Sequence, residues 1–413
     1  MPVRFVILTV LLMWGLSGRC AIVRVAPGSA YPTIAAGLAR VHGGDTLLVG
    51  PGRYAEGELV VNKRLTILGQ PGAILDGESK TGLLVLRAPA IHVSGLHFRN
   101  VGRSDLKELS AIRVENTVSA TLENNTIENG FFGIYLANAS YCTVRNNRIY
   151  GQARTESGSG NGIHVWKSHH VFIDNNIIDR HRDGIYFEFV TDSKVYRNLS
   201  THHLRYGIHF MFSDHDGYFY NTFRQNGSGV AVMYSHHVDM RHNDFSDNWG
   251  GAAYGLLLKE ISHSSLIDNR FYGNTTGLYL EGSSDLVAER NFFSRNGWAL
   301  RILGDCFEDT VRANTFQSNS FDVATNAERN MNYFHGNYWD KYRGYDLDKN
   351  GIGDVPYHPV SLFSRIAEQA PYALMLLHSF LLDIFEQAEK IVPTITPAAF
   401  NDANPVLHPT VHD

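Results

Sequence analysis

The chain has 413 residues, 44% of them hydrophobic, 12% aromatic and 19% charged, a balance that excludes disorder, a coiled coil and a polytopic membrane protein. Its 36 Lys+Arg against 41 Asp+Glu give a net charge of −5 with no basic block, so the counterion release that drives nucleic-acid binding has no source and no nucleic-acid partner is expected. Three scattered cysteines, Cys20, Cys142 and Cys306, supply neither a disulfide framework nor a CxxC metal knot, whereas 20 histidines are a compositional oddity.

At the N-terminus Arg4 precedes an apolar run from Phe5 to Leu16, which is too short to cross a bilayer and is followed by small residues. Residues 1–21 therefore read as a secretory signal peptide. Arg19, directly before Cys20, breaks the small-residue pattern of a lipidation site. The exported chain keeps 34 basic and 41 acidic residues. Next, Tyr31 to His42 (YPTIAAGLARVH) has helical spacing and a stop at Gly43-Gly44, and is expected to cover an open first coil and blunt its sheet edge.

The body of the chain is repetitive. A Gly-apolar-x-apolar element starts at Gly133, Gly162, Gly184, Gly207, Gly229, Gly255 and Gly277, and again at Ala299, mostly 22 or 23 residues apart. A second element, Asn-x-(Phe/Ile), runs through Asn125, Asn147, Asn176, Asn198, Asn221, Asn243, Asn269, Asn291, Asn314 and Asn337. Glycine and following asparagine stand 14 residues apart seven times running. Short alternating strands at this period, divided by Asn, Gly, Asp and Ser, describe an all-β fold: a right-handed parallel β-helix, a pectin-lyase-like solenoid of about 22 residues per coil, over residues 22–360. Side chains one coil apart then stack about 4.8 Å from each other. The asparagines read as structural, bonding backbone at a tight corner and tolerating left-handed geometry.

Two insertions, Gln152 to Gly160 and Asn248-Trp249-Gly250-Gly251, fall at one corner of the coil, and loops gathered on one edge of a solenoid mark its working face. The period of two puts the second and fourth residues after each glycine on the outside, toward solvent. The second column reads Tyr135, His164, Tyr186, His209, Ala231, Leu257, Tyr279, and the fourth reads Ala137, Trp166, Glu188, Met211, Met233, Lys259, Glu281. Met211 and Met233 are thereby expected in register on adjacent coils, with His209 on the same face. Two thioethers and an imidazole suit Cu(I), whereas Zn(II) recruits thiolate, imidazole or carboxylate. Residues 164–263 hold 12 of the 20 histidines, and His164, His236 and His237 are secondary candidates for the same metal.

Further along, Asp346, Asp348, Asn350 and Asp354, with Gly351, match the front of a calcium loop, but Tyr357 replaces the bidentate glutamate, so a self-capped turn fits equally. Residues 361–413 form a C-terminal helical extension. Leu362 to Ile391 reads as helix, apolar around its circumference from Ala373 to Phe385 and too short to span a membrane, so it either caps the last coil or docks a partner. The tail beyond Pro393, rich in Pro, Asn and Asp, is expected to be loosely ordered.

Arg205-Tyr-Gly-Ile-His-Phe-Met-Phe-Ser213, Gly229-Val-Ala-Val-Met-Tyr-Ser235, Tyr254-Gly-Leu-Leu-Leu-Lys-Glu-Ile261, Phe321-Asp-Val-Ala-Thr-Asn326, Gly336-Asn-Tyr-Trp-Asp340 and Asp354-Val-Pro-Tyr357 resemble the NosD family across nearly the whole exported chain. The resemblance implies a periplasmic β-helical protein, not an enzyme, that works with an ABC transporter ATPase and permease in maturing the copper centres of nitrous oxide reductase. It also implies a copper chaperone as donor, the reductase as client, and docking at an inner-membrane complex. A carbohydrate-active enzyme is the main rival, since such folds commonly bind acidic polysaccharides and Glu188, Asp183 and Arg205 lie at the right corner. No Asp-Pro-His, Asp-Asp or Arg-Ile-Lys motif supports it. A purely structural docking platform would leave the histidines unexplained.

Overall fold

A computed structural model describes residues 20–104, 107–327, 329–376, 379–380, 384–385 and 400–409. The hydrophobic run of the expected signal peptide lies outside the described residues. No described helix is long and apolar enough to cross a membrane.

The period sets the architecture. Three parallel sheets of 14, 13 and 12 strands, starting at Ile22–Val25, Gly52–Tyr54 and Leu59–Val61 respectively, wind a right-handed β-helix in which each coil adds one strand to each sheet. Register is one coil per rung: Ile208 lies beside Ile185 and Val230, and Phe210 beside Phe187 and Val232. Alternation sends these side chains into a continuous core. Inside the second sheet Phe223, Phe245, Phe271, Phe293, Phe316 and Trp339 stack at 5.4, 4.8, 4.6, 4.9 and 4.1 Å between centroids. Each ring gains about 1.5–3 kcal/mol by burial and each offset pair about 0.5–1.5 kcal/mol more.

The asparagine row closes the corner between the first and second sheets. Asn243 shows the pattern: its Oδ1 accepts from Asn221 N and Nδ2, while its own N and Nδ2 donate to Asn269 Oδ1, and Nδ2 also donates back to Tyr218 O at 2.9 Å. The left-handed residue is the one before each asparagine, for example Tyr220, His242 and Asp268, so the asparagines serve as bonding rungs and not as the bend itself.

The N-terminal cap matches expectation. Helix α1 (Ile34–Arg40) begins at Thr33, whose hydroxyl accepts from Ala36 N, while Glu56 accepts from Ile34 N and Ala35 N, and the helix packs on the first two strands of the first sheet.

The C-terminus departs from it. Helix α2 stops at Gln369 (Leu362–Gln369), and a 3-10 turn, Pro371–Leu376, follows, because proline has no N–H to continue the ladder. Phe363 and Ala373 bury against Phe321, and Arg301 pairs with Glu368. Residues 386–399, including the rest of the expected helix, lie outside the described residues. The described part of the tail, residues 400–409, is held in place: Phe400 and Asp402 are buried, and Asp402 bridges to Phe334 and Tyr357 while Val406 bridges to Tyr338 and Ile352. Asp402 accepts from Gly336 N, Asn337 N, Asn337 Nδ2 and Trp339 Nε1, taking the place of the next asparagine. Composition suggested disorder here, yet the last coil leaves N–H donors that Asp402 satisfies.

Candidate functional site

Both insertions leave the coil between the second and third sheets and stand over the outer face of the third. An open cleft of about 530 Å³ runs between them, lined by Glu156 from the first, Trp249 and Gly250 from the second, and Arg205, Tyr206 and Ser228 from the sheet.

Beside it the second outward column is not solvated, contrary to the simple alternation. Tyr135, His164, His209, Ala231 and Leu257 are all buried, His209 to 6% exposure. Rings alternate up the column, Tyr135–His164 at 4.6 Å, His164–Tyr186 at 4.7 Å and Tyr186–His209 at 5.1 Å, with Tyr206 at 4.8 Å from His209. Alternation fixed the direction of these side chains, and aromatic neighbours then covered them.

Charge lies beneath the rings. Asp183 is fully buried and binds Arg205 in bidentate fashion, Nε to Oδ1 at 3.0 Å and Nη2 to Oδ2, and it also accepts from Tyr206 N. Arg182 donates to Asn161 Oδ1 at 3.2 Å, and Asn161 Nδ2 lies 3.1 Å from His164 Nδ1. His209 Nδ1 stands 4.0 Å from Asp183 Oδ2, too far for a hydrogen bond, and neither of its ring nitrogens has a hydrogen-bond partner among the described residues. Desolvation pushes the His209 imidazole down to about 4, against the pull of Asp183 and aided by Arg205 and Arg182. Desolvation and Arg182 lower His164 to about 3, and burial with Glu188 nearby raises Tyr186 to about 12. His209 is therefore a neutral imidazole with free lone-pair capacity.

In the fourth column, Met211 and Met233 are direct register partners and half-buried, flanked by Glu188 and by the Lys259–Glu281 ion pair. Tyr186 joins the columns, its ring against His209 and its hydroxyl 3.7 Å from Met211 Sδ. Two thioethers, one neutral imidazole and a phenol thus share one face.

His236 and His237 do not join them. They follow Met233 past a left-handed bend at Tyr234. His236 Nδ1 meets Ser262 Oγ at 2.7 Å, and His237 stacks between His215 and His263. Among the described residues no three His, Cys, Asp or Glu side chains are gathered around a point that would hold a metal as they stand.

In the acidic loop the carboxylates face their own backbone. Asp346 accepts from Asn350 N and Gly351 N, Asp348 from Asn350 N and Nδ2, Asn350 Oδ1 from Ile352 N, and Asp354 from Leu347 N. Some desolvation of Asp346 is outweighed by the Gly351 N–H, with further help from Lys349 and Asn350, so its carboxyl titrates low. This is a self-capped turn in geometry.

Sequence reasoning missed a second row of rungs, five residues after the first. Asn226, Asn248, Asn274, Asn296 and Asn319 repeat the amide pattern between the second and third sheets, and the two earlier coils carry His203 and His181 instead. The constant offset of five was available in the sequence. Gly184 leaves the room that His203 needs, since a Cβ there would meet His203 Nε2 at 2.6 Å and Gly207 O at 2.5 Å.

Comparison with known proteins gives three findings. The family described as "Periplasmic copper-binding protein (NosD)" matches residues 149–344, the coils that carry this face. A "Probable ABC transporter binding protein NosD" of Pseudomonas aeruginosa is 29% identical over 86% of each chain, and its counterpart in Stutzerimonas stutzeri is 25% identical over 86% of this chain and 85% of that one. An α-1,3-glucanase of Streptomyces thermodiastaticus shares the fold alone, with a TM-score of 0.60 at 14% identity over 72% of this chain and 64% of that chain. The chain is thus similar to the NosD family model over its central coils and to two proteins bearing that name over most of its length.

Proposed function

We propose that this chain is a NosD-family protein, a periplasmic accessory protein that holds copper in transit, receiving it from a copper chaperone and passing it to nitrous oxide reductase, in concert with an ABC transporter ATPase and permease. The relatives' description as ABC transporter binding proteins supports the transporter partners. The observation that carries the copper reading is the register of Met211 with Met233 beside His209, a buried neutral imidazole without hydrogen-bond partners among the described residues.

The residues fit the cargo. Thioethers are soft donors that stay unprotonated, and an imidazole already neutral loses no proton on binding, so Cu(I) is favoured over Zn(II) and the affinity varies little above pH 5. Three donors without a thiolate give a site that releases its ion to a client. Tyr186 would keep Met211 oriented. Of the two carboxylates at this corner, Glu188 stands on the face beside Met211 but Asp183 is locked to Arg205 and shut away from solvent, so they do not offer a solvent-open acid–base pair, which favours binding over hydrolysis. The apolar segment 371–385, with Tyr372, Met375 and Phe380 exposed, would meet the permease.

Anaerobic Cu(I) titration against a competing chelator tests the site. The Met211→Ala, Met233→Ala double variant should bind at least about tenfold more weakly than the parent, about 1.4 kcal/mol, and His209→Asn should weaken binding as well. Equal affinity of the double variant and the parent would remove the site.

A further inference from the structure

At the corner between the third and first sheets the chain turns through two left-handed residues per coil, three apart. His170, Asp192, His215, His237, His263 and Asp285 occupy the second of these positions in six coils, with φ between 50° and 58°. Such a φ throws the side chain outward, and the one-coil rise sets each above the last. Consequently His215, His237 and His263 form an exposed row, with ring centroids 4.7 and 5.3 Å apart and planes within 22° of parallel. Asp192 and Asp285 bound the row, and Asp285 Oδ2 lies 3.2 Å from His263 Nδ1. Among the described residues no hydrogen bond engages the ring nitrogens of His215 or His237.

We propose that this imidazole row is a second metal site, separate from the thioether pair, that takes a borderline divalent cation. Its chemistry differs from the first: only nitrogen and carboxylate donors, all exposed, and no sulfur. Imidazole suits Zn(II), Ni(II) and Cu(II), and the general affinity order makes Cu(II) the tightest of these. The separation suits two ligands of one ion, but nearly parallel stacked rings aim their nitrogen lone pairs side by side and not at a common point, so binding requires adjacent exposed rings to turn toward each other, which their free side chains permit. Two imidazoles, or one pair with an end carboxylate, leave the remaining positions to water, and the site is weak and exchangeable. His237 belongs to both possible ring pairs, so it is the residue on which affinity depends most.

Zn(II), which is redox-silent, is the probe. Tag-free full-length exported protein is titrated with Zn(II) against a chromogenic chelator, beside His237→Asn, chosen because asparagine accepts a left-handed φ. His242→Asn serves as control, since His242 also has a left-handed φ but stacks on Tyr220 outside the row. The parent and His242→Asn are expected to compete for Zn(II) at micromolar concentration, and His237→Asn to bind about tenfold more weakly with an unchanged melting temperature. Cu(I) affinity should be the same in His237→Asn and the parent, and Zn(II) affinity the same in the Met211→Ala, Met233→Ala variant and the parent, so either site can fail alone. No Zn(II) binding by the parent, or equal binding by parent and His237→Asn, overturns the proposal.

Discussion

The two rows of rungs that flank the second sheet solve one problem with different completeness. In the first, ten asparagines from Asn125 to Asn337 follow one another without a break, each accepting from the coil below and donating to the coil above. In the second, His181 and His203 stand where later coils have Asn226 to Asn319. His203 Nδ1 accepts from His181 N at 3.0 Å as an asparagine oxygen would, yet its Nε2 is buried with no hydrogen-bond partner among the described residues, and so is that of His181. The compulsory part of a rung is an acceptor for the neighbour's N–H; a second donor is added stability. The coils with incomplete rungs are the ones whose outer face carries the buried Tyr–His column.

The comparison can be broken at the asparagine side. Asn243→Ala would strand Asn221 N and Tyr218 O in the interior and leave Asn269 Oδ1 with only the backbone N–H of residue 243, and should cost about 3–5 kcal/mol, read by chemical denaturation. A loss below about 1 kcal/mol would mean that strand pairing alone holds the corner.

A charged rung sharpens it next. Asp309 accepts from Leu286 N and from the Ser283 hydroxyl in a short row of the same kind, and desolvation, offset in part by those two donors, raises its carboxyl to about 6. Its ordinary value is 3.8, so the fold holds its proton more tightly than the unfolded chain does. This contribution is complete below about pH 4 and is lost as pH rises through 6. Asp309→Asn should therefore be more stable than the parent at pH 7 by about 2–3 kcal/mol, and no more stable at pH 4. Melting curves at the two pH values decide it.

The smallest effect tests the histidine rung itself. In His203→Asn a smaller side chain replaces the ring, but the stranded N–H disappears and an amide can donate to Asn226 Oδ1. A gain of about 1 kcal/mol is expected in thermal unfolding. A drop in melting temperature would show that ring packing matters more here than the missing donor.

Repetition made most of the fold legible. Gly207-Ile-His-Phe-Met repeats a pattern of two within a pattern of 22 or 23, and together these fixed coil, register and the pairing of Met211 with Met233. Burial of His209 was not legible, because it depends on Tyr186 and Tyr206 closing over an outward position, and alternation carries no information about what lies above a face. The break at Pro371 was legible and overruled by the apolar run around it. Asp402 had no periodic signal: it lies 65 residues beyond Asn337, and only three-dimensional return of the chain makes it a rung.

That return gives the tall row of asparagines a polarity. Each side-chain amide turns its oxygen toward the N-terminal end and one N–H toward the C-terminal end, so the dipoles add head to tail, and the acceptor waiting at the positive pole is a carboxylate. Residues 400–409 are thus positioned by an aligned field as well as by shape, and the row of rungs ends where its own summed polarity is neutralised.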